Sequence, residues 1–260
     1  MASTGLAVVT GASSGIGLEL AKELAARRYH LVVCAEDDEL AVAADGLRRS
    51  GVPVQAVRAD LATAEGTQRL VDAVGDYGVP VDVLALNAGI GVAGPFVQTP
   101  LADDLRLLAL NITSVVHTAK KLVPEMVARG RGRVLVTSSI ASLMPGPWYA
   151  TYAASKAFVQ SFGDALRHEL RGTDVTVTAL LPGPTATAIF ERAGMGRTWV
   201  GRGPKDDPER VARDAVAGLS RGARRVVAGS PLNRVMTASP RLLPARVVTA
   251  AHGVLTRPRT

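Results

Sequence analysis

LAVVTGASSGIGLELAKEL, residues 6–24, joins a short apolar run to an amphipathic stretch through a turn that holds three glycines, Gly11, Gly15 and Gly17. The run Ala7 to Thr10 is short and β-branched, which predicts a buried strand, and Ile16 to Arg28 has helical composition. Glycines between a strand and a helix permit a tight turn and a close backbone approach to a diphosphate, whose charge the first amides of the helix stabilise. The spacing here is Gly-x-x-x-Gly-x-Gly rather than Gly-x-Gly-x-x-Gly. An ordinary strand-to-helix connection is the alternative reading, and the order strand, turn, helix counts against it.

Outward from this turn the pattern repeats. Apolar runs at Leu31 to Cys34, Val52 to Val57, Val81 to Leu86, Arg133 to Thr137, Val175 to Leu181 and Val226 to Ala228 predict further strands. Helical composition fills Asp37 to Ser50, Ala64 to Tyr77, Leu101 to Arg129 and Tyr152 to Arg171 between them. Alternation of this kind predicts an α/β fold: a doubly wound, Rossmann-type parallel sheet with helices on both faces, in one domain. A chain of 260 residues suits that size. Residues 1–230 are expected to form the dinucleotide-binding and catalytic domain, with a substrate loop near 189–207, and residues 231–260 a basic, Pro-interrupted extension. Within the loop, Ala193 to Pro204 reads as too rich in glycine for a helix, and Ile189 to Pro204 is expected to act as a lid over substrate, with a plain floppy surface connection as the equal alternative.

Composition narrows the function. Cys34 is the only cysteine, so no disulfide can form within the chain and no cysteine cluster is available for zinc. His30, His117, His168 and His252 follow no metal spacing, so no metal is expected. The N-terminus carries no charged leader or long apolar segment, and no stretch approaches the ~20 apolar residues of a membrane-spanning helix, so a soluble, cytoplasmic protein is expected. Asn111-Ile112-Thr113 matches a glycosylation sequon but reads as coincidence in that setting. The net charge is +7, and beyond Asp214 the charged residues are all arginines. Aromatics are few and these arginines are interleaved with apolar residues, which argues against nucleic acid as a partner.

The turn Thr10 to Gly17 (TGASSGIG), Asn87-Ala88-Gly89 after the fourth strand, and Tyr152 and Lys156 four residues apart, in this order, resemble the short-chain dehydrogenase/reductase family. The similarity covers about residues 5 to 190 and fades beyond Ile189. It implies hydride transfer between a nicotinamide cofactor and a carbonyl or alcohol. By resemblance Gly11, Ser13, Ser14, Gly15, Ile16 and Gly17 cradle the cofactor's diphosphate, and Asp60-Leu61 contacts adenine. Asn87, Ala88 and Gly89, with Pro182, Gly183 and Thr187 on the nicotinamide side, complete the cofactor site, and Asn111, Ser139, Tyr152 and Lys156 form the catalytic set. Asn111 is implied to help hold a water linking Lys156 to solvent, and Lys156 to contact the nicotinamide ribose.

The chemistry of the set can be reasoned directly. Residues four apart on a helix share a face, so the Lys156 ammonium can lie near the Tyr152 phenol and is expected to lower a pKa that is normally near ~10. Tyr152 then gives a proton to a carbonyl oxygen or removes one from a hydroxyl, while Ser139 hydrogen-bonds the same oxygen. Taken singly, such a pair is also an ordinary solvated one, and Ser139 an ordinary strand end; the combination behind a dinucleotide turn favours catalysis.

Glu36, about 20 residues beyond the turn, is placed to accept hydrogen bonds from the adenosine ribose and repel a 2′-phosphate, which predicts NAD over NADP. Asp37 and Asp38 serve equally as acids at a helix N-terminus. Phe190, Met195 and Trp199 point to an apolar ketone or secondary alcohol. A catalytically silent nucleotide-sensing or scaffold protein of the same fold is the competing function. Helices Leu101 to Arg129 and Tyr152 to Arg171 are the surfaces through which relatives pair, so the resemblance implies a homodimer or homotetramer. Prolines exclude one long amphipathic helix from Arg221 to Thr260; packing on the domain or a neighbouring subunit near the substrate cleft is the leading reading, and reversible contact with acidic membranes the alternative.

Overall fold

A computed structural model describes residues 5–189, 193–194, 198–238 and 244–257. Phe190 and Met195 lie outside the described residues, as do Arg241, Leu242, Leu243 and the side chain of Trp199. Seven strands, β1 (Leu6–Thr10), β2 (His30–Ala35), β3 (Val54–Arg58), β4 (Val81–Leu86), β5 (Gly132–Thr137), β6 (Val175–Pro182) and β7 (Arg225–Ala228), form one sheet. Its order is β3-β2-β1-β4-β5-β6-β7, and every pairing is parallel. All residues of β1 and β4 are buried, as expected of strands covered on both faces.

Helices α1 (Gly15–Ala26), α2 (Glu39–Arg48), α3 (Ala64–Asp76), α4 (Leu101–Leu108), α5 (Ser114–Ala128) and α6 (Ala150–Glu169) follow the strands in turn. Two apolar layers result. One packs Leu70 of α3, Leu122 of α5 and Val159 of α6 against the sheet, and the other packs Leu20 and Leu24 of α1. The second layer also holds Val211, Ala215 and Leu219 of a helix that the composition-based reading passed over, Pro208–Ser220. Its signals are local: Asp207 caps it by accepting from the Glu209 amide at 3.1 Å, Pro208 occupies the first turn, and apolar residues recur at helical spacing.

Other boundaries move. The predicted helix Leu101 to Arg129 is interrupted by a π-helical segment, Ala109–Thr113, which contains Asn111. A π-bulge widens the turn and re-aims side chains, a common device at functional sites. The stretch read as too glycine-rich for a helix contains one, Trp199–Arg202, because the Thr198 hydroxyl accepts from the Gly201 amide at 2.9 Å and nucleates the turn despite the flanking glycines. Numbered in chain order, that turn is α7 and Pro208–Ser220 is α8. The basic extension folds into α9 (Pro231–Ala238) and α10 (Ala245–Thr256), with prolines at the starts of both. Helix α9 packs on β7 and on the 3-10 turn Ile140–Leu143. Among the described residues no helix is long and apolar enough to cross a membrane, and no cluster of metal-ligating side chains occurs.

The strand order reverses at β1, whose neighbours are β2 and β4. Loops leaving the two sides of such a switch point part company, and a crevice opens at the carboxyl ends of the strands.

Candidate active site

That crevice is a cleft of about 280 Å³ running from Glu36 to Tyr152. The glycine turn forms its floor. Gly11 and Gly15 have φ of 67° and 55°, a region that side-chain-bearing residues seldom adopt. A Cβ on Gly17 would stand 1.9 Å from the Gly11 carbonyl oxygen, so the α1 start and the turn can close only on a glycine. Ser14 caps α1 with its backbone alone and makes no side-chain cap bond, and it lines the cleft together with Gly15, Ile16 and Gly17 of the first turn, whose amides a helix leaves without partners in its own backbone. The cradle therefore fits a diphosphate. The Ser13 hydroxyl donates to Asp37 at 2.9 Å, fixing the turn to the end of β2.

Asn87 joins three strand ends. Its amide donates to the Thr10 hydroxyl (2.9 Å), its side-chain nitrogen donates to the Thr10 carbonyl (3.1 Å), and its side-chain oxygen accepts from Thr137 (3.1 Å). The Ala88 amide shares the Thr10 hydroxyl at 3.0 Å. Thr10 and Thr137 went unnoticed in sequence because each acts on a partner about 50 or more residues away. Pro182, Gly183 and Thr187 also line the cleft, with Thr187 against the glycine turn at Gly15. Asn233 of α9 supports them: a Cβ on Gly183 would collide with its side chain, which donates to Asp206 (2.7 Å) and to the Ala228 carbonyl (2.8 Å).

At the end of the cleft beyond β2 and β3, Glu36, Asp60 and Leu61 line it, and Arg106 of α4 bridges the two carboxylates. Its guanidinium pairs with Glu36 and lies 2.9 Å from Asp60. Burial works to raise the Asp60 pKa, but the hydrogen bonds from Arg106 and from the Ala62 amide, with the guanidinium charge, hold it below the usual carboxylate range. Glu36 is thus a paired carboxylate, a condition that the local sequence could not reveal. Of its neighbours, Asp38 pairs with Arg58.

At the other end of the cleft Ser139, Tyr152 and Lys156 meet. Lys156 is almost fully buried; its ammonium donates to the Thr137 carbonyl at 3.0 Å and lies 5.8 Å from the centre of the Tyr152 ring. Burial pulls it down to about 8. Burial likewise pushes Tyr152 up to about 12, with the hydrogen bond to the Ser139 hydroxyl acting the other way. This reverses the expected direction for the phenol: desolvation of its anion outweighs the ammonium, which spends its short bond on a carbonyl. Asn111 stands behind the cleft. Its side chain accepts from the Ile90 amide (2.9 Å) and donates to the Ile90 carbonyl (2.9 Å) and the Ser155 hydroxyl (3.0 Å), so it locks the segment after Gly89 to α6.

Residues 5–197 match the family model for short chain dehydrogenase. The chain is 37% identical, over 83% of its length and 78% of the relative's, to the 1-deoxy-11-beta-hydroxypentalenate dehydrogenase of Streptomyces exfoliatus. Curated relatives differ in size, and the matched stretch makes up only 15% of another at the same identity. Among solved structures it resembles a short-chain dehydrogenase from Sphingobium yanoikuyae in complex with NADPH (29% identity, TM-score 0.82, 98% of this chain and 96% of that one). It also resembles one from Burkholderia phymatum in complex with NAD (25% identity, TM-score 0.83, 99% and 98%). A glycine turn, a Tyr-Lys pair on one helix and a seven-stranded parallel sheet therefore carry the identification already: the chain belongs to the short-chain dehydrogenase family. It is an NAD(P)-dependent oxidoreductase by that membership.

Proposed function

We propose that the protein moves a hydride between a nicotinamide cofactor and an apolar ketone or secondary alcohol, with Tyr152 as the acid/base. The observation that carries this reading is the convergence of Ser139, Tyr152 and Lys156 at one end of the cleft whose other end is the glycine turn. Bound nicotinamide would supply or accept the hydride. With a phenol at about 12, Tyr152 holds its proton at neutral pH, ready to give it to a carbonyl oxygen. Ser139 stabilises charge on that oxygen, and Lys156, held by Thr137, supplies positive charge near the phenol and reaches toward the ribose. Asn111 holds the wall behind Lys156 and with it the route by which a water would relay protons. A panel of ketones and alcohols, followed by cofactor absorbance, tests the reading. Turnover is expected; cofactor binding without turnover across the panel would instead favour the silent sensor or scaffold.

NAD is the preferred cofactor in this reading, because Glu36 and Asp60 place two carboxylates at the ribose end of the cleft. Arg106 tempers that preference by neutralising Glu36. The favoured assembly is a homodimer or homotetramer: Leu101, Leu105 and Phe158 are exposed on α4 and α6, and Phe158 stacks on Phe162 with ring centres 6.1 Å apart. Light scattering at micromolar concentration should show it. A cytoplasmic setting belongs to the same reading and rests on the single, buried Cys34.

A further inference from the structure

The segment Pro145–Tyr149, which leads into α6 and Tyr152, is held from outside by one turn of α10. Trp148 has φ of 70°, strained for a bulky side chain. The strain is held by three bonds to α10: the Trp148 indole donates to the Gly253 carbonyl (3.0 Å), the Thr256 hydroxyl to the Pro147 carbonyl (2.9 Å), and His252 bonds the Pro145 carbonyl (2.9 Å). A fourth contact closes the set, the Tyr149 hydroxyl against His252 Nε2 at 2.7 Å. Both side chains are buried, both line the cleft, and the Tyr149 ring stands 6.0 Å from that of Tyr152.

Donor and acceptor roles in this chain of bonds follow from its fixed end. The Pro145 carbonyl can only accept, so His252 Nδ1 carries the proton. Burial pulls the imidazole pKa down, which keeps the ring neutral and leaves Nε2 an acceptor. Tyr149 must then donate to Nε2, and burial pushes its own pKa up, so the phenol keeps that proton. Its hydroxyl oxygen retains lone pairs and has no second proton to offer. The rest of this wall, Met144, Ala193 and Leu255, is apolar.

We propose that the Tyr149–His252 pair is a substrate-recognition site that presents a hydrogen-bond acceptor, so that the preferred ketone or alcohol carries a second hydroxyl, as donor, on a carbon remote from the reacting one. The proposal rests on the hydride-transfer reading for its chemistry and on Tyr149, His252 and α10 for its geometry. Tyr149 and His252 are specificity residues in it; neither takes a proton from the reacting carbon or oxygen.

The test is a set of paired bicyclic ketones, decalone and its mono-hydroxy derivatives at successive ring positions, compared within one enzyme preparation so that losses of folded protein cancel. Wild type is expected to favour at least one hydroxy ketone over decalone by roughly tenfold in kcat/KM, the size of a single net hydrogen bond. Tyr149→Phe should bring that ratio toward one, whereas His252→Leu, which frees the phenol to donate, should keep a hydroxyl preference and newly favour the matching diketones, whose second oxygen only accepts, and His252→Gln, able to donate and accept at once, should restore part of the discrimination against those diketones. The same pairs are measured by the thermal shift that each produces in the cofactor-bound protein. A wild type without hydroxyl preference in turnover or binding, or Tyr149→Phe with the wild-type ratio, overturns the proposal. Hydroxyl preference in binding without any turnover upholds the pair and defeats the hydride-transfer reading instead.

Discussion

The two ends of the cleft handle charge in opposite ways. At the Glu36 end Glu36 and Arg106 keep nearly half of their side-chain surface in water, and one guanidinium is shared as ion pairs between the Glu36 and Asp60 carboxylates. At the Tyr152 end Lys156 is buried and Tyr152 is partly buried, and each is pushed toward its neutral form. An exposed pair is screened and costs little to rearrange, so it suits recognition of alternative phosphates and hydroxyls. A buried pair is expensive to charge, and that cost places proton transfer under the control of whatever charge arrives beside it. In the proposed function, selection and catalysis thus occupy different dielectric settings within one crevice.

Substitutions at the buried end should have the largest effects. Tyr152→Phe keeps the ring and removes the proton, so turnover should fall by roughly 10²- to 10⁴-fold while cofactor binding survives. Near-wild-type turnover would remove the catalytic end from this contrast. Lys156→Ala should reduce turnover and also weaken cofactor affinity, measured by titration of the protein with NADH. An unchanged affinity would confine the lysine to the phenol.

At the exposed end the expected changes are smaller and opposite in sign. Glu36→Arg should shift the ratio of kcat/KM toward NADP by about tenfold, in line with one screened charge interaction gained and one repulsion lost. Arg106→Gln should shift it toward NAD by a lesser factor, because it removes the only cation that bridges the Glu36 and Asp60 carboxylates among the described residues. If both variants move the ratio the same way, Arg106 is no counterweight to Glu36.

The buried lysine also leaves a mark on stability. Its value of about 8 in the folded chain lies below the ordinary 10.5, so between those limits the unfolded chain holds a proton that the folded one has released. Stability contributed by this group therefore rises with pH from about 8, and below about 8 the fold carries the full cost of a desolvated ammonium. Tyr152, raised to about 12, works in the other direction only above pH 10, where an ordinary phenol loses its proton. From pH 7 to 10 the unfolding free energy of wild type, from denaturant titration, should gain on that of Lys156→Met by an amount on the order of 1–2 kcal/mol. A constant difference would show that Lys156 is better solvated than its burial implies.

Much of the site was legible because it is local. Gly11, Gly15 and Gly17 are needed by a turn only seven residues long, and Tyr152 and Lys156 meet through helical spacing alone. The apolar runs followed by amphipathic stretches determined a parallel sheet covered on both faces, since no other arrangement buries strands such as Val81–Leu86 completely. Position relative to distant chain was not legible. Arg106 reaches Glu36 across 70 residues, and His252 reaches Tyr149 across 103, and neither partner alters the periodicity around the other. The π segment that aims Asn111 is likewise invisible in a helical pattern that runs through it unbroken. Sequence pattern records which face of an element is apolar and where the backbone must bend. Only the assembled sheet, by fixing which loops share a crevice, decided that a carboxylate is paired, that burial outweighs a nearby ammonium, and that the last described helix reaches back to Tyr149, three residues before Tyr152.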